Sequence, residues 1–347
     1  TDNTTYIPRN TRDSYVESFF LSIQRELAKN TRLDVAYVGN HGLKLQGFIN
    51  ANQLNPAVGF AQANRPFPKF SDITEALNQF SSNYNSLQVR YEQRFVAGLT
   101  LLNSFTWSQS LDQASASLEG NTPAPQDGNN IRADYGQSDY NLPISNITSF
   151  IYELPVGRGR HFLSQANGFV DAALGGWQVS VINTMQSGTP FNVTYSPGAA
   201  NQVSPTIANS FRGANLYRPN LVPGVNPRLN TRVAGSGYVQ YLNPAAFSLP
   251  AANGSPFGNL ARNYLRHPAF YETDLALNKK FSTPVDRLKV EFRTEFYNLI
   301  NHTNLYLPSG ALSGTVGATA NNVATGGGII SSTFQPRVIQ FGLKLIF

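Results

Sequence analysis

Nine segments of this chain alternate apolar and polar residues with a period of two. Side chains on a strand point to opposite faces in turn, so each segment reads as an extended strand with one greasy face and one polar face. The clearest runs from Tyr84 to Phe95, with Leu87, Val89, Tyr91 and Phe95 opposite Gln88, Arg90, Glu92 and Arg94. The others are centred on Ser14 to Leu27, Thr31 to Asn40, Leu99 to Ser108, Ile147 to Leu154, Trp177 through Val181, Tyr271 to Phe281, Leu288 to Phe296, and the terminal Gln340 to Phe347.

The links between them follow a rhythm. Ala28-Lys29-Asn30, Val96-Ala97-Gly98 and Ser282 to Asp286 are short. The stretches 41–80, 111–142, 188–268 and 303–333 are long, irregular and rich in Asn, Pro and Gly. Pro155 to Gly176 is intermediate; it carries Gly157-Arg158-Gly159-Arg160 and a short helix expected near Phe169 to Leu174. Short turns at one end and long loops at the other are the signature of a transmembrane β-barrel, whose short turns are periplasmic and long loops external.

Composition agrees. Charged residues make up 13% of the 347 residues and aromatics 12%, where a soluble domain carries about 25% charge. No run of 18 apolar residues exists, which excludes a spanning helix but not a barrel, where alternation keeps hydropathy modest. The fold expected is all-β: an antiparallel transmembrane barrel in the outer membrane of a Gram-negative bacterium. Bacterial barrels use an even strand number, and nine strands leave two unpaired edges that hydrocarbon does not tolerate. Residues 1–347 are therefore expected to be the C-terminal part, about nine strands, of a larger barrel. The polar start at Thr1, with no initiator Met and no signal pattern, agrees with a longer chain.

In this reading the polar face lines a wet lumen. Its candidates are Arg90, Glu92, Arg94, Glu272, Asp274, Lys289, Glu291, Arg293 and Glu295, placed to find partners across strands. The aromatic-rich loops offer Phe67, Phe70, Tyr238, Tyr241 and Phe247 for stacking on a sugar or chelate; the plainer role for each is to pack the loops together. A rival reading is a soluble or cell-surface sheet that binds carbohydrate, with Leu99, Leu101, Phe105 and Leu345 in a protein core. A passive porin-like barrel is a third.

No catalytic chemistry is indicated. There is no cysteine, and His41, His161, His267 and His302 do not fall in metal-ligand spacing. No nucleophile elbow, phosphate loop or dinucleotide fingerprint occurs, so neither a metal nor a cofactor is expected. The Gly326-Gly327-Gly328 run reads as a flexible loop. The net charge of +6 is spread without basic runs, which argues against nucleic acid. Gly157-Arg158-Gly159-Arg160 has the chemistry to bind an anion, but a periplasmic turn is the simpler reading.

Several motifs bear a resemblance. Gln340, Gly342, Leu345 and Phe347 resemble the C-terminal assembly signal of outer-membrane proteins, which implies a barrel assembly machinery as partner. The segments Tyr84 to Val89 with Glu92 to Phe95, Ser104 to Ser108, Arg132-Ala133-Asp134-Tyr135-Gly136 with Ser138-Asp139, Gly175 to Gln178 with Gln186 to Phe191, Asn243-Pro244-Ala245-Ala246-Phe247, and Glu295 to Leu299 with Asn301-His302 resemble TonB-dependent receptors of the Oar-like group. The resemblance spans nearly the whole chain. It implies a plugged barrel that takes up a scarce metal chelate or oligosaccharide, with the TonB complex acting through a plug outside this chain. After Ser138-Asp139 the family usually carries Arg and His, where this chain has Tyr140-Asn141-Leu142-Pro143.

Overall fold

The computed structural model describes residues 2–59, 61–115, 125–196, 217–250, 255–282, 288–313, 322–324 and 326–346. Nine long strands form one sheet: β1 Tyr15–Ala28, β2 Thr31–Asn50, β3 Phe70–Val96, β4 Leu99–Asp112, β5 Ile144–Glu153, β6 Trp177–Gln186, β7 Phe270–Ser282, β8 Lys289–Tyr297 and β9 Val338–Ile346. Among these nine, spatial order equals chain order and every neighbouring pair is antiparallel. This is the meander expected from the period-two pattern. The short strand Asp2–Tyr6 adds a parallel partner to the start of β3. Among the described residues no ladder joins β9 to β1, and both strands are exposed along their whole length.

Registers fix which residues share a face. Arg32, Glu92 and Leu102 lie side by side, as do Asp274, Ile182 and Ser149, and Glu291 and Lys344. This face is mostly polar. The other carries Leu101, Phe150, Val181, Leu275, Phe296 and Ile339 in one continuous row. Leu99, Leu101 and Phe105 are half-buried and Leu345 is exposed, so the protein core predicted by the soluble reading is not built. One row of the apolar face is polar: Asn103, Thr148, Asn183 and Thr273. It satisfies itself, with Asn103 Nδ2 donating to Thr148 Oγ1 at 2.7 Å and Asn183 Nδ2 to Thr273 Oγ1 at 2.7 Å. Such pairing removes the cost of leaving a donor dry.

Two readings of the sequence need correction. The stretch 41–80 is not a long irregular link, because β2 continues to Asn50 and β3 begins at Phe70. The alternation fails there because the ladder shifts register at Gly42/Leu45 and Leu45/Gln46, with Lys44 at φ 52°. A bulge of this kind turns successive side chains out of phase. Nor is Gly326-Gly327-Gly328 merely flexible. Gly326–Gly327 pairs with Leu312 and Ser313, and Gly328, at φ 71°, lies so close to the Leu242 side chain that a Cβ would collide.

The long loops form a second layer. Three small sheets each tie the loop after β6 to the loop after β8. They are Asn220–Leu221 with Phe247–Leu249 and Asn322–Val323; Arg228–Arg232 with Val239–Leu242 and Ile329–Ile330; and Thr194–Tyr195 with Ala311–Ser313 and Gly326–Gly327. Between them lies the main hydrophobic core, built on Val193, Tyr195, Tyr241, Leu242, Phe247 and Leu249. The intermediate link carries one helix, α1 Gly168–Leu174, at the opposite end of the sheet.

Candidate functional site

The four long loops are welded into one cap, and the welds are buried polar contacts between segments remote in sequence. The loop after β2 meets the loop after β4 through Gln53, whose Oε1 accepts the Gly128 amide at 2.8 Å and whose Nε2 donates to Asp127 at 3.2 Å. The loop after β4 meets the loop after β6 through two arginines. Arg218 pairs with Asp134 at 2.5 Å, both almost fully buried, and the Gln126 amide donates to the same carboxylate at 2.7 Å. Arg262 donates to the Asp112 and Asp134 carbonyls at 3.0 Å each, and also pairs with the carboxylates of Asp112 and, at 3.3 Å, Asp139. Asn263 completes the clasp on Asp139 at 2.6 Å.

Burial of this cluster shifts its chemistry. Desolvation raises the carboxyls of Asp134 and Asp139, opposed at Asp134 by the Arg218 guanidinium and at Asp139 by hydrogen bonds from Asn263 and Ser115. The Arg262 guanidinium is pushed down to about 10 by the same burial. A charge held out of water in this way is tolerated because its partners are fixed and its hydrogen bonds are satisfied. The recurrent motif Arg132 to Gly136 with Ser138-Asp139 thus proves to be a structural clasp. The basic partners of its acids come from Arg218 and Arg262. Nothing near the motif in sequence signals them, save two acids in a loop without a local partner.

The five aromatic candidates divide. Phe247 is fully buried and Tyr241 nearly so, its hydroxyl donating to the Arg266 carbonyl at 2.6 Å. Both fill the cap core and offer no ring face to a ligand, so packing is their role. Phe67, Phe70 and Tyr238 are exposed. The presentation of the first two is built. Buried Asn52 donates from Nδ2 to the Phe67, Phe70 and Ser71 carbonyls at 2.8–3.1 Å and accepts the Phe67 amide at 2.7 Å. Arg65 pairs with Asp72 at 2.9 Å beneath them. The loop is held from inside while its rings face outward. Tyr238 stands on a separate turn, 233–238, closed by the Val233 amide on the Tyr238 carbonyl at 2.8 Å.

The nine charged candidates fall as follows. Arg90, Glu92, Glu272, Asp274, Lys289, Glu291, Arg293 and Glu295 share the polar face by register. Glu92 gathers Arg32 from the neighbouring strand at 3.3 Å, Arg90 at 3.4 Å and Arg94 at 2.5 Å. Arg293 pairs with Glu295 along its own strand, and Glu291 lies opposite Lys344. Asp274 accepts the Asn298 amide at 2.9 Å, closing the top of β8. In the terminal segment Gln340 and Gly342 lie on the polar face opposite Glu295 and Arg293, and Leu345 on the apolar face opposite Val290; Phe347 is outside the described residues. Among the described residues no group of His, Asp or Glu could hold a metal ion. The arrangement can bind and enclose.

Comparison with known proteins agrees with this architecture. The family model for the outer membrane beta barrel domain matches residues 1–340. A search of curated proteins finds no match. Solved structures similar to the chain include the outer membrane transporter YddB from Escherichia coli, at 10% identity over 99% of this chain and 34% of that one, with a TM-score of 0.40. The siderophore receptor PiuA from Acinetobacter baumannii is 8% identical over 95% of this chain and 28% of that one, at 0.41. BauA, the ferric preacinetobactin receptor of Acinetobacter baumannii, is 9% identical over 96% and 29%, at 0.42. The chain spans about a third of the length of these structures.

Proposed function

Because the chain belongs to the outer membrane beta barrel domain family, we propose that it supplies one side of the wall, and the external cap, of a TonB-dependent receptor of the Oar-like group. The receptor takes up a scarce ligand, a metal chelate or an oligosaccharide, without covalent chemistry. The apolar face meets lipid and the polar face lines the lumen. The end with the short turns is periplasmic and the cap is external.

One observation carries the reading. Four long loops are joined into a single cap with its own core, on a sheet whose first and last strands have unpaired edges. A strand edge in hydrocarbon leaves backbone groups unsatisfied, each costing several kcal/mol. Further strands in this proposal pair β1 and β9, which share no ladder among the described residues, and complete a barrel of about 22 strands, the size at which the lumen is plugged. In this proposal the plug and TonB-contacting segments belong to the rest of the receptor, and the charges around Glu92 and Arg293 face the plug. The motifs shared with the Oar-like group support it.

Phe67, Phe70 and Tyr238 are the proposed ligand contacts, since exposed rings held by a rigid loop lose little entropy on stacking. The test is ligand binding by the intact protein in detergent. Candidate ferric chelates and oligosaccharides are screened, and a ligand bound in the micromolar range or tighter is compared with Phe67→Ala/Phe70→Ala and Tyr238→Ala. The expected result is at least a tenfold loss, about 1.4 kcal/mol. Unchanged affinity in both variants removes the cap from the role.

A further inference from the structure

The link between β5 and β6 does not behave as a turn in water. It exposes Phe162 at 56%, Leu163 at 48%, Phe169 at 84% and Leu174 at 51%. Four large apolar side chains exposed on one link of some twenty residues call for a partner. The link is nonetheless well folded. Gly157 and Gly159 adopt φ of 121° and 70° in a tight turn; the Arg158 guanidinium donates to the Ala166 carbonyl at 3.3 Å, and Arg160 pairs at 3.5 Å with Glu153, which belongs to the polar face. The Asp171 carboxylate accepts the Arg158 amide at 2.6 Å, and Asn167 caps the start of α1 by accepting the Val170 amide at 2.9 Å.

Its position identifies the partner. Trp177 and Lys279 lie opposite each other on β6 and β7, on the apolar face. The Trp177 Nε1 donates to the Ala173 carbonyl at 3.0 Å, and the Lys279 ammonium to the Ala173 and Gly175 carbonyls. Lys279 also lies 5.1 Å from the Trp177 and Phe281 ring centres. The end of α1 is therefore pinned to the apolar face, where that face reaches the short-turn end. Beside the pin is a hollow of about 340 Å³ lined by Arg158, Arg160, Lys279, Lys280 and a single acid, Asp171. An apolar surface continuous with a lipid-facing wall, bordered by cations, fits the boundary between acyl chains and phosphate headgroups.

We propose that this link is an interfacial anchor: Phe162, Leu163, Phe169 and Leu174 enter the acyl region of the adjoining leaflet, and Arg158 holds a phospholipid phosphate at the hollow. The proposal rests on the proposed function for the apolar face meeting lipid and for naming that leaflet as the periplasmic one; oxygen and nickel access along β8 and β9 tests that premise separately. The contact itself follows from the pin to the lipid-facing wall.

This chain has no cysteine; any cysteine elsewhere in the intact protein is first replaced by serine, so that each label is single. Phe169→Cys and, independently, Leu174→Cys are labelled with a fluorophore in the intact protein. A label at Val58→Cys in an external loop is the reference. Each is reconstituted in vesicles of phosphatidylethanolamine and phosphatidylglycerol containing a phospholipid brominated on its acyl chain, and folding is checked by gel mobility before heating. Both anchor labels should be quenched by the bromolipid several-fold more than the reference and be shielded from aqueous iodide. Arg158→Gln should reduce the bromolipid quenching at Phe169→Cys. Iodide access at both anchor sites overturns the proposal, because it places the link in water. Shielding from both quenchers overturns it too, because it places the link against protein, whether a plug or a second copy. Quenching unchanged by the arginine variant removes the phosphate-holding role.

Discussion

Replacing Arg262 should open the cap without unfolding the wall. Its guanidinium joins the carboxylates of Asp112 and Asp139 and two backbone carbonyls, and only 7% of the side chain is exposed. Arg262→Ala leaves the Asp112 carboxylate buried with its partner gone, the situation that costs about 3–5 kcal/mol. At about 1.4 kcal/mol per tenfold, the open population of the cap rises roughly 100- to 3,000-fold. The nine-strand ladder does not pass through Arg262, so β-sheet circular dichroism stays constant. Hydrogen exchange of the intact protein in detergent reads the effect: amides of Ala133 and Tyr135, bonded within the clasp segment, and of Ser138, bonded to the Ser110 carbonyl at the end of β4, lose protection by those orders of magnitude, while amides of β8 do not. Arg262→Lys keeps the charge but not the fork and recovers only part of the loss. Arg262→Met with Asp112→Leu removes both charges and should lie much closer to wild type. Protection unchanged in Arg262→Ala refutes the reasoning. A double variant as damaged as the single one refutes it as well, because the harm would then not come from a stranded charge.

Three further outcomes follow from particular contacts. Asn52→Ala strands the Phe67 amide and takes one of two donors from each of the Phe67, Phe70 and Ser71 carbonyls; the expected cost is about 1–3 kcal/mol, measured by protease cutting in 51–70 with the rest of the cap intact. His267 stacks on Phe191 at 4.7 Å with its Nδ1 3.0 Å from Thr189 Oγ1, and burial lowers its ring below the ordinary 6.5. The unfolded loop then binds the proton more readily, so the stability of the neutral ring is present above pH 6.5 and is lost as pH falls through the folded value; hydrogen exchange near 190–191 and 265–266 should speed up on acidification, and His267→Gln should flatten that dependence. Phe292→Arg, on the apolar face, should cost about 2–4 kcal/mol in vesicle unfolding if it lies near the midplane, whereas Arg293→Glu on the other face should cost far less.

The wall was legible because its physics is local. Each strand writes its two faces into a period of two, and all nine appear where that period runs, from Tyr15–Ala28 to Val338–Ile346. The upper parts of β2 and β3 were not, since bulges at Gly42 to Gln46 destroy the period while leaving the hydrogen bonds in place. The cap was illegible for a different reason. Its strands are two to five residues long and most pair with remote partners, as Leu249 does with Asn322 and Thr194 with Ala311, so a local window of sequence carries little signal. The arginine clasp is non-local in the same way. Of the aromatic candidates, composition could not separate Phe67, which a buried Asn52 holds up to solvent, from Phe247, which the same cap buries.

The central claim is that one face of this sheet meets lipid and the other meets the lumen. Spin labels placed one at a time along β8 and β9, at Phe292, Arg293, Thr294, Phe341, Gly342 and Leu343, test it in the intact protein in bilayers. Collision with oxygen, which concentrates in hydrocarbon, and with a water-soluble nickel chelate is measured at each site. The account predicts a period of two in opposite phase for the two probes, with oxygen highest at Phe292, Phe341 and Leu343 and nickel highest at Arg293 and Gly342. Nickel access at Phe292, Phe341 and Leu343, or no alternation at all, would contradict it.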